Sequence, residues 1–137
     1  MRDITPFLDA VRQWAADHAD VAAVLLVGSF ARGTAHSESD VDLVVIMADP
    51  LPYLADAAWL SRFGVVTRVQ DEDWGLVQSR RTWYAGGLEV EFGLTTRQWV
   101  ATDPVDPGTR EDVTDGAAIV YDPAGILAAL LAAISSE

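Results

Sequence analysis

Two short apolar runs, Ala22 to Val27 and Val41 to Met47, bracket the turn Gly28-Ser29-Phe30-Ala31-Arg32-Gly33, a polar loop from Thr34 to Ser39, and two aspartates, Asp40 and Asp42. The first run is continuously apolar over the length of a strand, which predicts a strand covered on both faces. On a strand, residues two apart project to the same side, so Asp40 and Asp42 point together. At a separation of about 5 Å and an effective dielectric near 20, two such charges repel by roughly 3 kcal/mol. A hard divalent cation such as Mg2+, which takes oxygen ligands and leaves positions for phosphates, turns that repulsion into a binding site.

Charge restricts the partners. The chain has a formal net charge of -12 and only nine basic residues, all of them arginine. Such a protein repels a polyanion at long range, so long DNA or RNA is not an expected partner. A metal-bound nucleotide is compatible, because the metal supplies the missing positive charge. The absence of cysteine excludes disulfides and thiolate-bound zinc. Neither the N-terminal residues nor the apolar tail Ile126 to Ile134 has the length of a signal peptide or a membrane span. A soluble cytoplasmic protein with no membrane partner is expected. The length of 137 residues and the 50% hydrophobic content fit a single domain over 1–137, with its core in 5–95 and a C-terminal strand and helix in 117–134.

Local patterns predict the elements. Thr5-Pro6 starts a helix over about 6–19, with Phe7, Val11, Trp14 and His18 at helical spacing. His18 is read as a half-buried packing residue. Asp49-Pro50 starts a second helix that Gly64 stops. Val65 to Val69 is strand-like, and Asp71-Glu72-Asp73 is read as a solvated acidic loop. Leu76 to Tyr84 and Leu88 to Thr95 flank Ala85-Gly86-Gly87 as a hairpin. Thr96 caps a short turn carrying Trp99, and Thr102 to Gly116 is read as a long surface connection. Ala117 to Tyr121 is a last strand, and Asp122-Pro123 caps a helix over about 124–134. This order predicts an α+β (mixed α/β) fold.

Gly28 allows close approach of a phosphate, Ser29 adds a hydroxyl, and Asp40-Val41-Asp42 follows eleven residues after Ser29. Gly28-Ser29-Phe30-Ala31-Arg32-Gly33-Thr34-Ala35 leading to Ser39-Asp40-Val41-Asp42-Leu43 resembles the signature of the DNA-polymerase-β-type nucleotidyltransferase superfamily. Within it, the stretch is similar to the small bacterial members, the minimal and aminoglycoside-nucleotidyltransferase-like groups. The resemblance implies a mixed sheet with helices packed against it. It also implies transfer of an NMP, by default AMP from ATP, to an acceptor hydroxyl by two-metal in-line displacement with release of pyrophosphate. Asp40 and Asp42 would hold Mg2+, while Gly28 and Ser29, assisted by Arg32 and Ser39, would hold the triphosphate.

Relatives of this kind use a third carboxylate on a later strand. Glu89 and Glu91 share a face of the second hairpin strand, so spacing does not choose between them. By analogy the third acid lies between hydrophobic residues well into its strand, which favours Glu91, to help hold the second metal or act as general base, and leaves Glu89 solvated. Arg80 and Arg81 point to opposite faces, so one of them faces the cleft. His36 is expected in solvent. The tryptophans are read as core and rim packing, with Trp74, Trp83 and Trp99 as the alternatives for walling a base. About 40 residues follow the hairpin, too few for the helical acceptor domain of many aminoglycoside-modifying members. The acceptor, a small molecule or a protein, is then held in an open cleft, by a second copy in a homodimer, or by a helical partner protein. The alternative reading is an antitoxin-like or nucleotide-binding module with weak or absent catalysis.

Overall fold

The computed structural model describes residues 2–137. Its strands are β1 (Val21–Val27), β2 (Val41–Met47), β3 (Val66–Asp73), β4 (Gln78–Tyr84), β5 (Glu89–Thr95) and β6 (Ala117–Tyr121). They form one sheet in the order β3-β4-β5-β2-β1-β6. Strands β2 and β5 run parallel, and every other neighbouring pair is antiparallel. The helices are α1 (Thr5–Ala16), α2 (Ser29–Arg32), α3 (Leu51–Ala55), α4 (Pro107–Thr114) and α5 (Ile126–Ser135), with 3-10 segments at Ala58–Phe63 and Arg97–Val100. This is the mixed α/β architecture the residue pattern predicts. No helix among the described residues is long and apolar enough to cross a membrane.

The period of two along the strands divides the sheet into two unlike faces. Leu43, Val45, Phe92 and Leu94 pack on one side beneath α1, where Phe7, Val11 and Trp14 form the buried stripe. Trp14, Trp59 and Tyr53 stack or meet edge-on there, and His18 closes the group as a half-buried packing residue, 5.3 Å from the Trp14 ring. On the other side, Ala23, Leu25, Val44 and Ile46 are covered by Leu127 and Leu130 of α5 together with Trp99. That apolar cover lies over β1 and β2. Farther along the same face, β4 and β5 present Ser79, Arg81, Glu89 and Glu91 instead, so the cover gives way to polar groups there.

Three elements depart from the sequence expectation. The helix expected from Asp49-Pro50 to Gly64 is two pieces, because Asp56 has extended backbone angles and its carboxylate accepts from Ala58 N at 2.9 Å to start a new turn. The carbonyls that would have continued α3 are taken by Arg80, whose guanidinium donates to Tyr53 O at 2.7 Å and Leu54 O at 2.8 Å. The acidic run 71–73 is strand, not loop. Asp71 pairs with Arg80 through two bonds of 2.8 Å, so its carboxylate anchors the outer strand. The connection 102–116 contains α4, in which Asp106 caps Thr109 N at 3.0 Å and the buried Thr109 hydroxyl donates to Trp99 O at 2.8 Å. Asp106-Pro107 carried that helix-start signal in the sequence.

Arg80 is thus buried with every bond internal. Its replacement by alanine leaves Leu54 O without this donor, Tyr53 O with Trp59 Nε1 and Asp71 with solvent, and together with the loss of the buried side chain is expected to cost about 2–4 kcal/mol. Thermal melting should show a midpoint lower by about 6–12 °C. An unchanged midpoint would mean that the clamp contributes nothing.

Candidate active site

Register builds the site. Asp42 on β2 is paired with Val27 of β1 on one side and, in parallel, with Glu91 of β5 on the other. Glu91 is paired in turn with Arg81 of β4. Asp42, Glu91 and Arg81 therefore stand in one row across the sheet and share its polar face. Asp40 and Glu89, each two residues earlier, form the next row on that face. One carboxylate oxygen from each of Asp40, Asp42 and Glu91 lies within 4.8 Å of the others. This donor set, all hard oxygen and all half-exposed, suits a divalent cation such as Mg2+. The structure thus brings together the three acids proposed as ligands. His36 lies in solvent on the polar loop, where its backbone N–H donates to the Ser39 hydroxyl at 2.9 Å.

Crowding shows in the charge of Asp42. Burial first, and then the negative fields of Asp40 and Glu91 with hydrogen bonds to both, push its carboxyl up to about 8. The folded protein holds this proton up to about pH 8, whereas the unfolded chain releases it near the ordinary value of 3.8. Between those limits the folded state binds more protons, so metal-free stability falls as pH rises through the window. Discounted for partial exposure, the loss is about 2–3 kcal/mol, or about 5–10 °C in Tm. Melting in chelator from pH 5 to pH 8.5 should show that fall, and Asp42→Asn should flatten it. A wild-type midpoint independent of pH would contradict the crowding.

Gly28 makes room for Asp42. It has φ +76, a conformation glycine adopts at little cost, and a Cβ at this position would overlap Asp42 Oδ2. The turn that follows carries Ser29 and Arg32. With Ser39, Asp40 and Asp42 these residues line a cleft of about 530 Å³. Arg32 has no carboxylate within ion-pair reach among the described residues. It also borders a second cavity of about 680 Å³, which shares Gly28 and Asp42 with the first and extends past Glu91 to Trp74, Trp99 and α4. The α4 side of this cavity is acidic. Burial, then the charges of Glu111, Asp115, Glu91 and Asp106, hold the Asp112 carboxyl above its usual range.

One residue departs from expectation and one open choice is resolved. Glu89 is a partner and not merely solvated: it accepts from Arg81 Nη1 at 2.5 Å. Arg81, which residue spacing left level with Arg80, is the arginine on this face. It also donates to Asp40 at 2.8 Å and to Glu91 at 3.0 Å. Burial works against its charge, but the bonds to Asp40 and Glu89 and the fields of Glu91 and Asp40 outweigh that and raise its pKa. Of the tryptophans, Trp74 is 63% exposed at the rim of the larger cavity, whereas Trp99 is buried and Trp83 lies beneath the Arg68 guanidinium.

Comparison with known proteins follows the same lines. No curated protein sequence matches the chain. Among solved structures, an aminoglycoside 6-adenyltransferase from Bacillus subtilis superposes with a TM-score of 0.58 at 16% identity, over 72% of this chain and 37% of that one. The present chain therefore spans little more than a third of that protein. A toxin-antitoxin structure with AMP-PNP superposes with a TM-score of 0.51 at 15% identity, over 94% of this chain and 84% of that one. At these identities the likeness is one of fold. Residues 7–102, well over half of the sequence, match the family model of the nucleotidyltransferase domain, and the chain belongs to that family.

Proposed function

We propose that the protein transfers a nucleoside monophosphate from a nucleoside triphosphate, with ATP the first donor to test, to an acceptor hydroxyl. The observation that carries this reading is the convergence of Asp40, Asp42 and Glu91 within 4.8 Å beside the Gly28-Ser29 turn. The three carboxylates would hold one or two Mg2+ ions, with Glu91 helping to hold the second or serving as base toward the acceptor hydroxyl. Bound there, the metal would supply Lewis-acid stabilisation of charge developing on the phosphoryl oxygens. Ser29, Ser39 and the Gly28 turn donate to the triphosphate. Arg32, free of a carboxylate partner and shared by both cavities, steadies the phosphates where they meet the acceptor. The larger cavity, within the size range of small-molecule sites, receives the acceptor or the base, with Trp74 at its rim.

A second reading is a module acting with a partner protein, weakly active or inactive. It is favoured by the toxin-antitoxin neighbour of similar extent. The converged acids favour the enzyme, because a pure binding module has no use for that repulsion. Thermal melting with each NTP and Mg2+ tests the proposal. At about 100 times Kd the right ligand should stabilise the fold by roughly 2.7 kcal/mol. Mass spectrometry of candidate acceptors should then show an NMP-sized adduct. If no Mg-NTP shifts the melting of the well-folded protein, the enzyme reading fails.

A further inference from the structure

We propose that Arg81 is the resident counter-cation of the carboxylate cluster, and that an entering divalent metal displaces its guanidinium from Asp40 and Glu91 onto Glu89. The inference rests on the reading that Asp40, Asp42 and Glu91 hold the metal.

Three observations lead to it. First, the guanidinium bonds to two of the three converging acids, with Nη1 on Asp40 Oδ2 at 2.8 Å and Nη2 on Glu91 Oε2 at 3.0 Å. The other Glu91 oxygen accepts from the Ser79 hydroxyl at 2.8 Å. Both oxygens of Glu91 are therefore engaged, and although each keeps a second lone pair, a cation claiming one crowds the donor already there. Ser79 is 3% exposed and neutral, whereas Arg81 carries charge of the same sign as the metal. The guanidinium is thus the donor that leaves. Second, the shortest contact of Arg81, 2.5 Å, goes to Glu89, which lies outside the converging trio. The guanidinium can let go of Asp40 and Glu91 and keep an ion pair. Third, the Arg81 and Glu89 side chains remain 28% and 32% exposed, so the guanidinium has solvent on one side and can move without repacking the core.

Glu89 and Glu91, indistinguishable by spacing, then have separate tasks: Glu91 ligates, and Glu89 receives the arginine. Arg81 is a positioning residue. It keeps mutually repelling carboxylates together before the metal arrives, and competes with the metal for them.

The test is a double-mutant cycle read by Mg2+ calorimetry and by melting in chelator, neither of which needs turnover. Arg81→Gln should melt lower without metal, yet bind Mg2+ about tenfold more tightly, the scale of effects transmitted through residues that support metal ligands. Glu89→Gln should bind Mg2+ more weakly, because the guanidinium loses its resting partner. In the double variant that weakening should disappear, since no guanidinium is left to place. Weaker Mg2+ binding by Arg81→Gln, or strictly additive effects, would overturn the exchange. If Arg81→Gln does not fold, 15N NMR of the Arg81 guanidinium in the wild-type protein decides. Its resonances should shift on Mg2+ addition while Glu89→Gln changes the metal-loaded spectrum, and unaltered resonances at saturation would refute displacement. Absence of any Mg2+ binding by the wild type would remove both this inference and the functional reading, whereas normal Mg2+ binding with an additive cycle removes this inference alone.

Discussion

Asp42→Asn is expected to reduce nucleotidyl transfer by about 10³-fold or more while leaving the protein folded. The substitution keeps the shape of the side chain and removes the charge from the acid at the centre of the cluster, paired in register with Glu91. A phosphoryl-transfer site depends on fixed charge to stabilise its transition state, and single preorganised groups in such sites are worth about 10²–10³-fold even without a metal. The melting behaviour should move the opposite way. Without metal, asparagine relieves the crowding that pushes Asp42 up to about 8, so the variant should melt higher than the wild type above neutral pH. Pyrophosphate release followed alongside melting separates a loss of chemistry from a loss of fold. Wild-type turnover in this variant would refute the role proposed for Asp42.

Gly28→Ala should damage both stability and activity. The residue sits at φ +76, where an L side chain is strained, and its Cβ would collide with the Asp42 carboxylate. Backbone strain of this kind costs about 1–3 kcal/mol. Displacement of Asp42 adds a penalty of about 10²-fold in turnover, the usual consequence of moving a reacting constellation by an ångström. Gly33→Ala is the control, because Gly33 has almost the same angle, φ +77, with nothing within 4 Å of the added carbon. It should lose stability from strain alone and retain most turnover. Equal losses of turnover in the two variants would show that the Gly28–Asp42 contact is irrelevant.

Much of the fold is legible in the sequence because strands buried on both faces are written as uninterrupted apolar runs. Val21–Val27 and Val41–Met47 lie within a residue of the predicted limits. The pairing of Asp40 with Asp42 needs only the period of two. The approach of Glu91 is different in kind, since it depends on β5 lying parallel to β2 with Glu91 opposite Asp42, a long-range register that no local pattern encodes. The place of Arg81 is less legible still, because it requires the β4–β5 register as well. Helix α4 was hidden for another reason. Its polar sequence lacks an apolar stripe, and it is held by the Asp106 cap and by one buried hydroxyl, that of Thr109. The break in the Leu51–Phe63 region is likewise tertiary, imposed when Arg80 claims the carbonyls of Tyr53 and Leu54.

The neighbouring arginines of β4 have a consequence for how the molecule assembles. Arg80 reaches through one face to the end of α3, and Arg81 reaches through the other to the acids of β2 and β5. A slip of β4 by one residue would exchange the two faces, taking Arg80 off the carbonyls of Tyr53 and Leu54, Arg81 off Asp40 and Glu91, and the buried Tyr84 out of the core. Correct alignment of this strand is therefore checked twice, by groups on opposite sides of the sheet. A chain misaligned at β4 would fail in its core and in its electrostatics together, so few molecules should be well folded yet carry a disordered acidic cluster.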